Sequence, residues 1–427
     1  MAKPKLALIP AAQGSKFYSV LPSDGVGDFD FARASAATRI NKYGLIETVA
    51  SGQSRLNYPL IDGVVNGCPH HILEPARTNL VTYSEDFSNW TASDITVTDN
   101  NAISPDGSLN ASKLTLTSGT SVKRIALGSM PTSSASRCYS FFFKTNDINS
   151  IQLLHTGDLQ GYANFDLVNS VVGTSGSKTT SKIENYGNGW FRCTAIFDNT
   201  NVFGSTLYLY IKDNALGTYG GSTSEVGDLF IFGAMYEEGS YPTSYIVSNS
   251  GSATTRVAET ANGAGDASTF NSSEGVLMAE ISALADDLTE RVISLQGGSS
   301  SDRVSIQYNT ITNEIKGFVR VGGTFVASLE YTVTDITDFH KVALKYKSND
   351  FQLWIDGVLR EGDVSGVTFA SNTLIKTSFD IGGAVPFYGN TKQLQYFDSA
   401  LNDSELETLT SWTSFSEMAT SQLYSIQ

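Results

Sequence analysis

The sequence predicts an all-β protein, with an N-terminal segment followed by two β-sandwich domains. Three observations carry this. Aromatic residues form 11 % of the chain, with 19 Tyr and 23 Phe, and charged residues only 17 %. Aromatic and β-branched side chains suit a pleated, half-buried surface, whereas a disordered chain carries more charge and fewer rings. Turn formers are spread throughout, with 38 Gly and abundant Ser, Thr and Asn, so that apolar runs are cut into strand-length pieces. Finally, 427 residues exceed one ordinary core, so more than one domain is expected.

Taken in order, residues 1–75 differ from the rest. Through residue 62 they hold seven basic residues against five acidic ones, in a chain of net charge −15. Asp24-Gly25, Tyr43-Gly44 and Asp62-Gly63 mark turns, and 44–49 reads as a short strand. Little there can form an independent core. The segment should become ordered against a neighbour, or wrap the next domain as a simple extension. Residues 76–255 show eight strands, at 94–98, 111–117, 138–144, 151–155, 162–167, 190–197, 206–211 and 228–235, each bounded by Gly, Asn, Asp or Ser. That spacing suits a jelly roll. Tyr139 to Phe143 reads as a core strand, and the Asn188-Gly189 turn should send Trp190 into the core. Residues 256–273, rich in small residues, read as a linker. The second sandwich should span 274–415, with strands at 275–281, 291–295, 303–308, 314–321, 324–331, 340–346, 351–355 and 379–381. The strand 351–355 runs into Asp356-Gly357, a residue pair that supplies positive φ in a tight hairpin. A short helix is expected at 401–409, capped by Asn402, Asp403 or Ser404, with Glu405 or Glu407 completing a capping box. Residues 416–427 remain as a tail.

Charge and cysteine usage narrow the function. With 43 acidic against 28 basic residues, partners made of nucleic acid or anionic membrane are not expected, since they need basic patches. No run reaches transmembrane length, and MAKPKLALIP does not read as a secretory signal. Folding in a cytoplasm is therefore expected, with any outside surface reached as part of an assembly or by another route. Cys68, Cys138 and Cys193 are too few for a disulfide framework and read as free thiols, a Cys138–Cys193 bond being the alternative.

Candidate chemistry is sparse. Cys68-Pro69-His70-His71 has metal-ligand residue types, but a structural zinc site wants four ligands and no second Cys/His pair lies nearby; a turn with packed imidazoles is expected. Glycoside hydrolysis needs two carboxylates facing one cleft. Asp286-Asp287-Leu288-Thr289-Glu290 comes nearest and reads as a loop. Nucleophile elbows, phosphate-cradling loops and solenoid repeats are missing, so an enzyme is not expected. Sugar contacts are better sought in loop aromatics beside Gly than in strand aromatics such as Phe142 or Trp190. The candidates are Tyr219 in the 216–221 turn, and Phe387, Tyr388 and Asn390 in the 385–390 turn. Subunit contacts recruit Tyr equally well.

Several phrases resemble a known protein class. Phe31-Ala32-Arg33-Ala34-Ser35-Ala36-Ala37-Thr38-Arg39-Ile40-Asn41, Gly44-Leu45-Ile46-Glu47, Arg55-Leu56-Asn57-Tyr58, Leu73-Glu74-Pro75-Ala76-Arg77-Thr78-Asn79-Leu80 and Tyr83-Ser84-Glu85-Asp86-Phe87-Ser88-Asn89-Trp90 follow one another in order. Together they resemble an N-terminal region of bacteriophage virion proteins of tail-fibre, head-fibre or appendage type. The module after it, ending in Tyr236-Glu237-Glu238-Gly239-Ser240, Thr243-Ser244-Tyr245-Ile246 and Thr255-Arg256, looks like a jelly-roll carbohydrate-binding module. The last is similar to concanavalin A-like (laminin-G-like) lectin sandwiches, through 340–346, the Trp354-Ile355-Asp356-Gly357 hairpin and Tyr396-Phe397-Asp398. The resemblance implies a virion structural protein that displays glycan-binding modules for host attachment, anchored to other virion proteins through Arg33, Arg39 and Arg55, and assembled as a homo-oligomer such as a trimer. Internal salt bridges with Asp28, Asp30 or Glu47 are the other reading of these arginines. No cofactor is expected beyond calcium, for which Asp380 and Asp398, with Asp286 and Asp287, are candidate ligands. The Glu-x-Asp-x-x-Glu word of concanavalin A-like glucanases does not occur. A purely architectural virion protein is the alternative, and a polysaccharide depolymerase the third reading.

Overall fold

In a computed structural model, residues 3–132, 134–413 and 417 are described. Nearly all of the regular structure is β, as predicted; among the described residues one α-helix, Asp403–Ser411, accompanies the strands. The tail expected at 416–427 lies, except for residue 417, outside the described residues.

Residues 91–238 form the first sandwich, from two six-stranded antiparallel sheets. One runs Thr91–Ser93, Arg124–Leu127, Leu207–Lys212, Ser150–His155, Tyr162–Asp166, Val171–Ser175. The other runs Ile95–Ile103, Leu109–Leu116, Gly227–Glu238, Arg137–Thr145, Trp190–Phe197, Thr179–Gly187. Alternate residues of both sheets meet in one core, which holds Phe141, Phe143, Phe165, Phe197, Leu209 and Ile231.

The second sandwich is built differently from the expectation. Its long sheet runs from Thr324–Thr332 through Glu314–Val321, Arg303–Tyr308, Arg291–Gln296, Lys376–Ser378 and Thr260–Ala264, then takes in Phe29–Ala32, Lys16–Leu21 and Leu6–Gln13. It continues through Gly389–Phe397, Glu274–Ala283, His340–Lys347 and Phe351–Ile355 to Val358–Asp363. The two ends of the sheet meet: the Glu330 amide donates to Glu361, and the Arg360 guanidinium lies 4.4 Å from the Tyr331 ring centroid. Thus the first 32 residues are not a separate attachment arm. Leu6, Leu8, Phe17, Phe29 and Phe31 are buried in the same core as Leu277, Leu344 and Tyr396. The expected linker is structured as well. Thr254–Arg256 pairs with Arg77–Asn79, Thr260–Ala264 pairs with Phe29–Ala32, and Phe270 is buried. Small residues suggested flexibility, but Ala261 and Ala264 are buried in the core.

The chain therefore begins in the second sandwich, leaves it near residue 75, builds the first, and returns along Thr254–Arg256. The hairpin of Ala37–Ile40 and Ile46–Val49 packs on the first sandwich, with Ile46 against Phe142, Trp190 and Tyr245. Trp190 is buried, as expected, and its indole N–H donates to the Ile103 carbonyl at 3.1 Å. Asp356 and Gly357 take φ of 52° and 78° in the expected hairpin, and Asn402 with Glu405 forms the capping box. The strand expected at 379–381 instead ends at Ser378.

Candidate functional site

One face of the Leu207–Lys212 sheet is core; the other carries the site. Leu207, Leu209 and Ile211 point inward, so Tyr208, Tyr210 and Lys212 must point outward, because side chains alternate along a strand. Register builds the rows beside them. Arg124 and Gln152 flank Tyr210, and Asn164 lies beyond Gln152. Ala126 and Leu154 flank Tyr208, and Tyr162 lies beyond Leu154.

The arginine organises this face. Its guanidinium carbon lies 4.4 Å from the Tyr208 ring centroid and 5.4 Å from that of Tyr210, and Nη1 donates to the Tyr210 hydroxyl at 2.5 Å. The two rings are 5.6 Å apart at 67°. Such cation–π stacking holds rings upright on a surface. A loop, 213–226, folds over the far side. Its anchors are Gln152, which accepts from the Gly220 amide at 2.7 Å and donates to the Thr218 carbonyl at 2.9 Å, and Asn164, which donates to the Gly217 carbonyl at 2.6 Å. Lys212 donates to the Gly220 carbonyl, and burial lowers its pKa. The loop thereby sets Tyr219 at 6.2 Å from Tyr162, edge to face, with its hydroxyl donating to the His155 carbonyl at 3.1 Å. Burial, with Tyr210 and Tyr208 close by, raises the Tyr219 pKa, so its hydroxyl stays protonated at neutral pH. The result is a surface of three partly exposed tyrosine rings, Tyr208, Tyr162 and Tyr219, beside one guanidinium, with the buried Tyr210 and the amides beneath.

Of the residues expected at a sugar site, Tyr219 lies here. Phe387 does not: it is fully buried, stacked 5.9 Å from Tyr308 and 6.0 Å from Phe379. Its neighbours Pro386 and Gly389 resemble a loop, but the ring closes the end of the core. Tyr388 packs partly buried on that core. Asn390 is the second residue of a strand and donates to Ser282 Oγ at 3.0 Å, lining a cleft between the sandwiches. Tyr219 and the 385–390 turn therefore do not form one site. Tyr208, Tyr210, Tyr162 and Arg124 were missed as strand residues, yet the alternation Leu207-Tyr208-Leu209-Tyr210-Ile211 already shows two faces.

The arginines expected to anchor the protein occupy a different place. Arg33 and Arg55 are fully buried, where no partner surface reaches them. Arg33 Nη1 donates to Glu259 at 2.6 Å; Arg55 Nε donates to Glu259 at 2.9 Å and Nη2 to Glu74 at 2.8 Å; Arg256 pairs with Glu74 at 2.8 Å. Burial alone would raise the Glu74 pKa, but Arg256 and Arg55 outweigh it and hold it at about 2. Only Arg39, partly exposed, takes the alternative reading, pairing with Glu47 at 2.7 Å.

The calcium candidates are separately engaged: Asp380 accepts from the Asn262 amide at 2.8 Å and Asp398 pairs with Lys5 at 3.4 Å. Asp286 accepts from the Asn313 amide at 3.2 Å, and Asp287 pairs with Arg291 at 2.5 Å. Among the described residues no three His, Cys, Asp or Glu side chains are gathered as a metal site. His70 and His71 are packed imidazoles, the latter 3.8 Å from the Phe17 ring, and burial depresses both to a pKa of about 3. Cys68 is exposed, and Cys138 and Cys193 are buried free thiols.

Fold and site together define a two-sandwich β protein with one ringed, cation-bearing sheet face. No protein-family profile matches the chain, and no curated protein is matched either. Among solved structures, the chain is similar to the CBM40 module of a Ruminococcus gnavus sialidase bound to α2,3-sialyllactose, with 18 % identity over 35 % of this chain and 93 % of that one, at a TM-score of 0.30. It is also similar to domains LG4-5 of the mouse laminin α1 chain, with 10 % identity over 65 % of this chain and 90 % of that one, at 0.23. A heptameric SAP-like pentraxin of Limulus polyphemus covers 33 % of this chain at 9 % identity and 0.28.

Proposed function

We propose that this protein binds glycans through the tyrosine face of its first sandwich, as a structural component of a bacteriophage virion that meets the host surface. The single observation behind the binding role is the cluster of Tyr208, Tyr210, Tyr162 and Tyr219 around Arg124. Ring faces carry negative charge density and pack against the C–H face of a pyranose, while the guanidinium and phenol groups bond its hydroxyls. Core tyrosines would instead be covered; here Tyr208, Tyr162 and Tyr219 stay partly open, while Tyr210 is buried beneath them. The virion setting rests on the ordered phrases between residues 29 and 90. The role is adhesion without turnover, in a homo-oligomer carried on the particle.

The test is a glycan array with the full-length chain, with and without calcium, comparing wild type with Tyr208→Ala. Saturable binding lost in the variant, with no saccharide products, supports the reading. Binding that survives the variant moves the site elsewhere, and no binding to host envelopes favours a purely architectural protein.

A further inference from the structure

A second concave site lies between the sandwiches, where the N-terminal segment crosses both. It is a solvent-open cleft of about 490 Å³, within the size range of small-ligand pockets. Three parts of the chain wall it: Asn57 and His70 from the N-terminal segment, Tyr186 and Arg192 from the first sandwich, and Asn390 from the second.

Two wall residues stand out, each more than nine-tenths buried with an unpartnered nitrogen. Arg192 is 4 % exposed and its Nε has no hydrogen-bond partner; His70 is 5 % exposed and its Nδ1 has none. Arg192 is held by neutral groups, donating to the Thr243 carbonyl at 2.9 Å and to Ser140 Oγ at 3.1 Å. Among the described residues no carboxylate lies within 4.0 Å of it; the nearby Glu184 pairs with Lys182 at 2.8 Å, and Glu237 accepts from the Thr243 amide and hydroxyl at 2.8 and 2.7 Å. Arg39, at the rim, is already balanced by Glu47. The cleft thus holds one buried guanidinium with no carboxylate in direct contact, in a protein of net charge −15; burial opposes its charge, while Tyr186, Glu184 and Glu237 favour it from a distance and raise its pKa. A buried charge is costly unless paired, and the planar fork of Arg matches a carboxylate.

His70 supplies a donor. The Asn57 amide oxygen accepts from the Ile40 amide at 2.8 Å, so its nitrogen donates to His70 Nε2 at 3.3 Å. Burial keeps the ring neutral, which places its one proton on Nδ1, unused.

We propose that this cleft binds the carboxylate of an acidic sugar unit of the hexuronate class, with Arg192 on the carboxylate and His70 Nδ1–H and Asn390 on its hydroxyls. The choice of a sugar carboxylate over other anions rests on the glycan-binding reading above. The site and its charge preference are separate from the tyrosine face.

The experiment titrates the full-length protein with D-glucuronate, D-glucose and acetate by calorimetry. Glucuronate should bind one to one, at least tenfold tighter than glucose or acetate. Arg192→Gln should abolish it; because that residue is buried, the deciding variant is Thr337→Trp, which fills the rim from an exposed position and should abolish binding with an unchanged melting temperature. Equal binding of glucuronate and glucose, no glucuronate binding at all, or full binding by Thr337→Trp overturns the proposal. Acetate binding as tightly as glucuronate would leave a carboxylate site and remove the sugar. Tyr208→Ala should leave glucuronate binding intact, so loss of neutral-glycan binding there and loss of glucuronate binding here are read separately.

Discussion

Glu259→Gln is the perturbation that most directly tests how the two sandwiches are joined. The Glu259 carboxylate receives Arg33 Nη1 at 2.6 Å, Arg55 Nε at 2.9 Å, Arg55 Nη2 and the Glu74 amide at 2.9 Å, all away from solvent. Three guanidiniums, of Arg33, Arg55 and Arg256, face two carboxylates, of Glu259 and Glu74. Carbonyls take up the remaining donors: Arg33 Nη2 reaches Ala50 O at 2.8 Å, Arg55 Nη1 reaches Thr38 O at 2.7 Å and Arg256 Nη2 reaches Pro75 O at 3.0 Å. The amide variant keeps the shape but leaves three buried cations against one anion. Removing one partner of a buried pair costs about 3–5 kcal/mol, because the surviving charge stays desolvated. For a body of about 200 residues that lowers the melting temperature by roughly 6–20 °C. The assay is differential scanning calorimetry beside Glu47→Gln, whose partly exposed pair with Arg39 should cost under about 1 kcal/mol. Equal shifts for the two variants would refute the claim that the buried network locks the junction.

The other predictions concern pH, binding and the core. Because His70 and His71 have folded pKa values of about 3 against an ordinary 6.5, their contribution is present above pH 6.5 and lost as pH falls toward 3; at pH 5 each should have lost about 2 kcal/mol. His71→Phe should flatten the slope of stability between pH 6.5 and 5 in urea titrations, and an unchanged slope would contradict the buried neutral ring. Glu74, lowered to about 2, stabilises above pH 4.5 and should add a further loss only below that pH. Tyr208→Ala should weaken glycan binding about tenfold, roughly 1.4 kcal/mol, with little change in melting temperature. Phe387→Ala should do the opposite, destabilising the second sandwich by about 3–5 kcal/mol while leaving the first sandwich's binding intact; loss of glycan binding with normal stability would return Phe387 to the list of contacts.

Local patterning made most strands readable, because each is an alternating run bounded by turn residues, as in the 351–355 strand and its Asp356-Gly357 hairpin. The long-range partners were not readable. Residues 6–13 and 16–21 look too isolated to form a core, and do not form one alone; they borrow it from strands some 380 residues later, which no local pattern records. The same limit explains the arginines. Arg33 and Arg55 looked like surface cations because their counter-charge, Glu259, lies more than 200 residues away. Treating strand aromatics as core was a rule applied too broadly. In Tyr208-Leu209-Tyr210 the leucine takes the core face, so both tyrosines must face away from it.

The ordered phrases that carry the resemblance to virion proteins acquire a physical meaning from this topology. Asn79, within one of them, donates to the carbonyls of Ala234 and Ile246 at 3.1 and 2.8 Å and accepts from the amides of Val81 and Tyr236, both at 3.1 Å, so every bonding position of its amide is used. Glu74, in the same phrase, and Arg33 and Arg55, in others, belong to the buried network, and Arg256 closes it from the returning strand. These words mark the place where the chain leaves one sandwich for the other and comes back. Side chains so fully engaged hold that crossing fixed, which sets the cleft walls at Asn57, Arg192 and Asn390 relative to one another. A ligand in the cleft touches both sandwiches, so its binding should stabilise the junction itself, and Glu259→Gln should weaken glucuronate binding although Glu259 never meets the sugar.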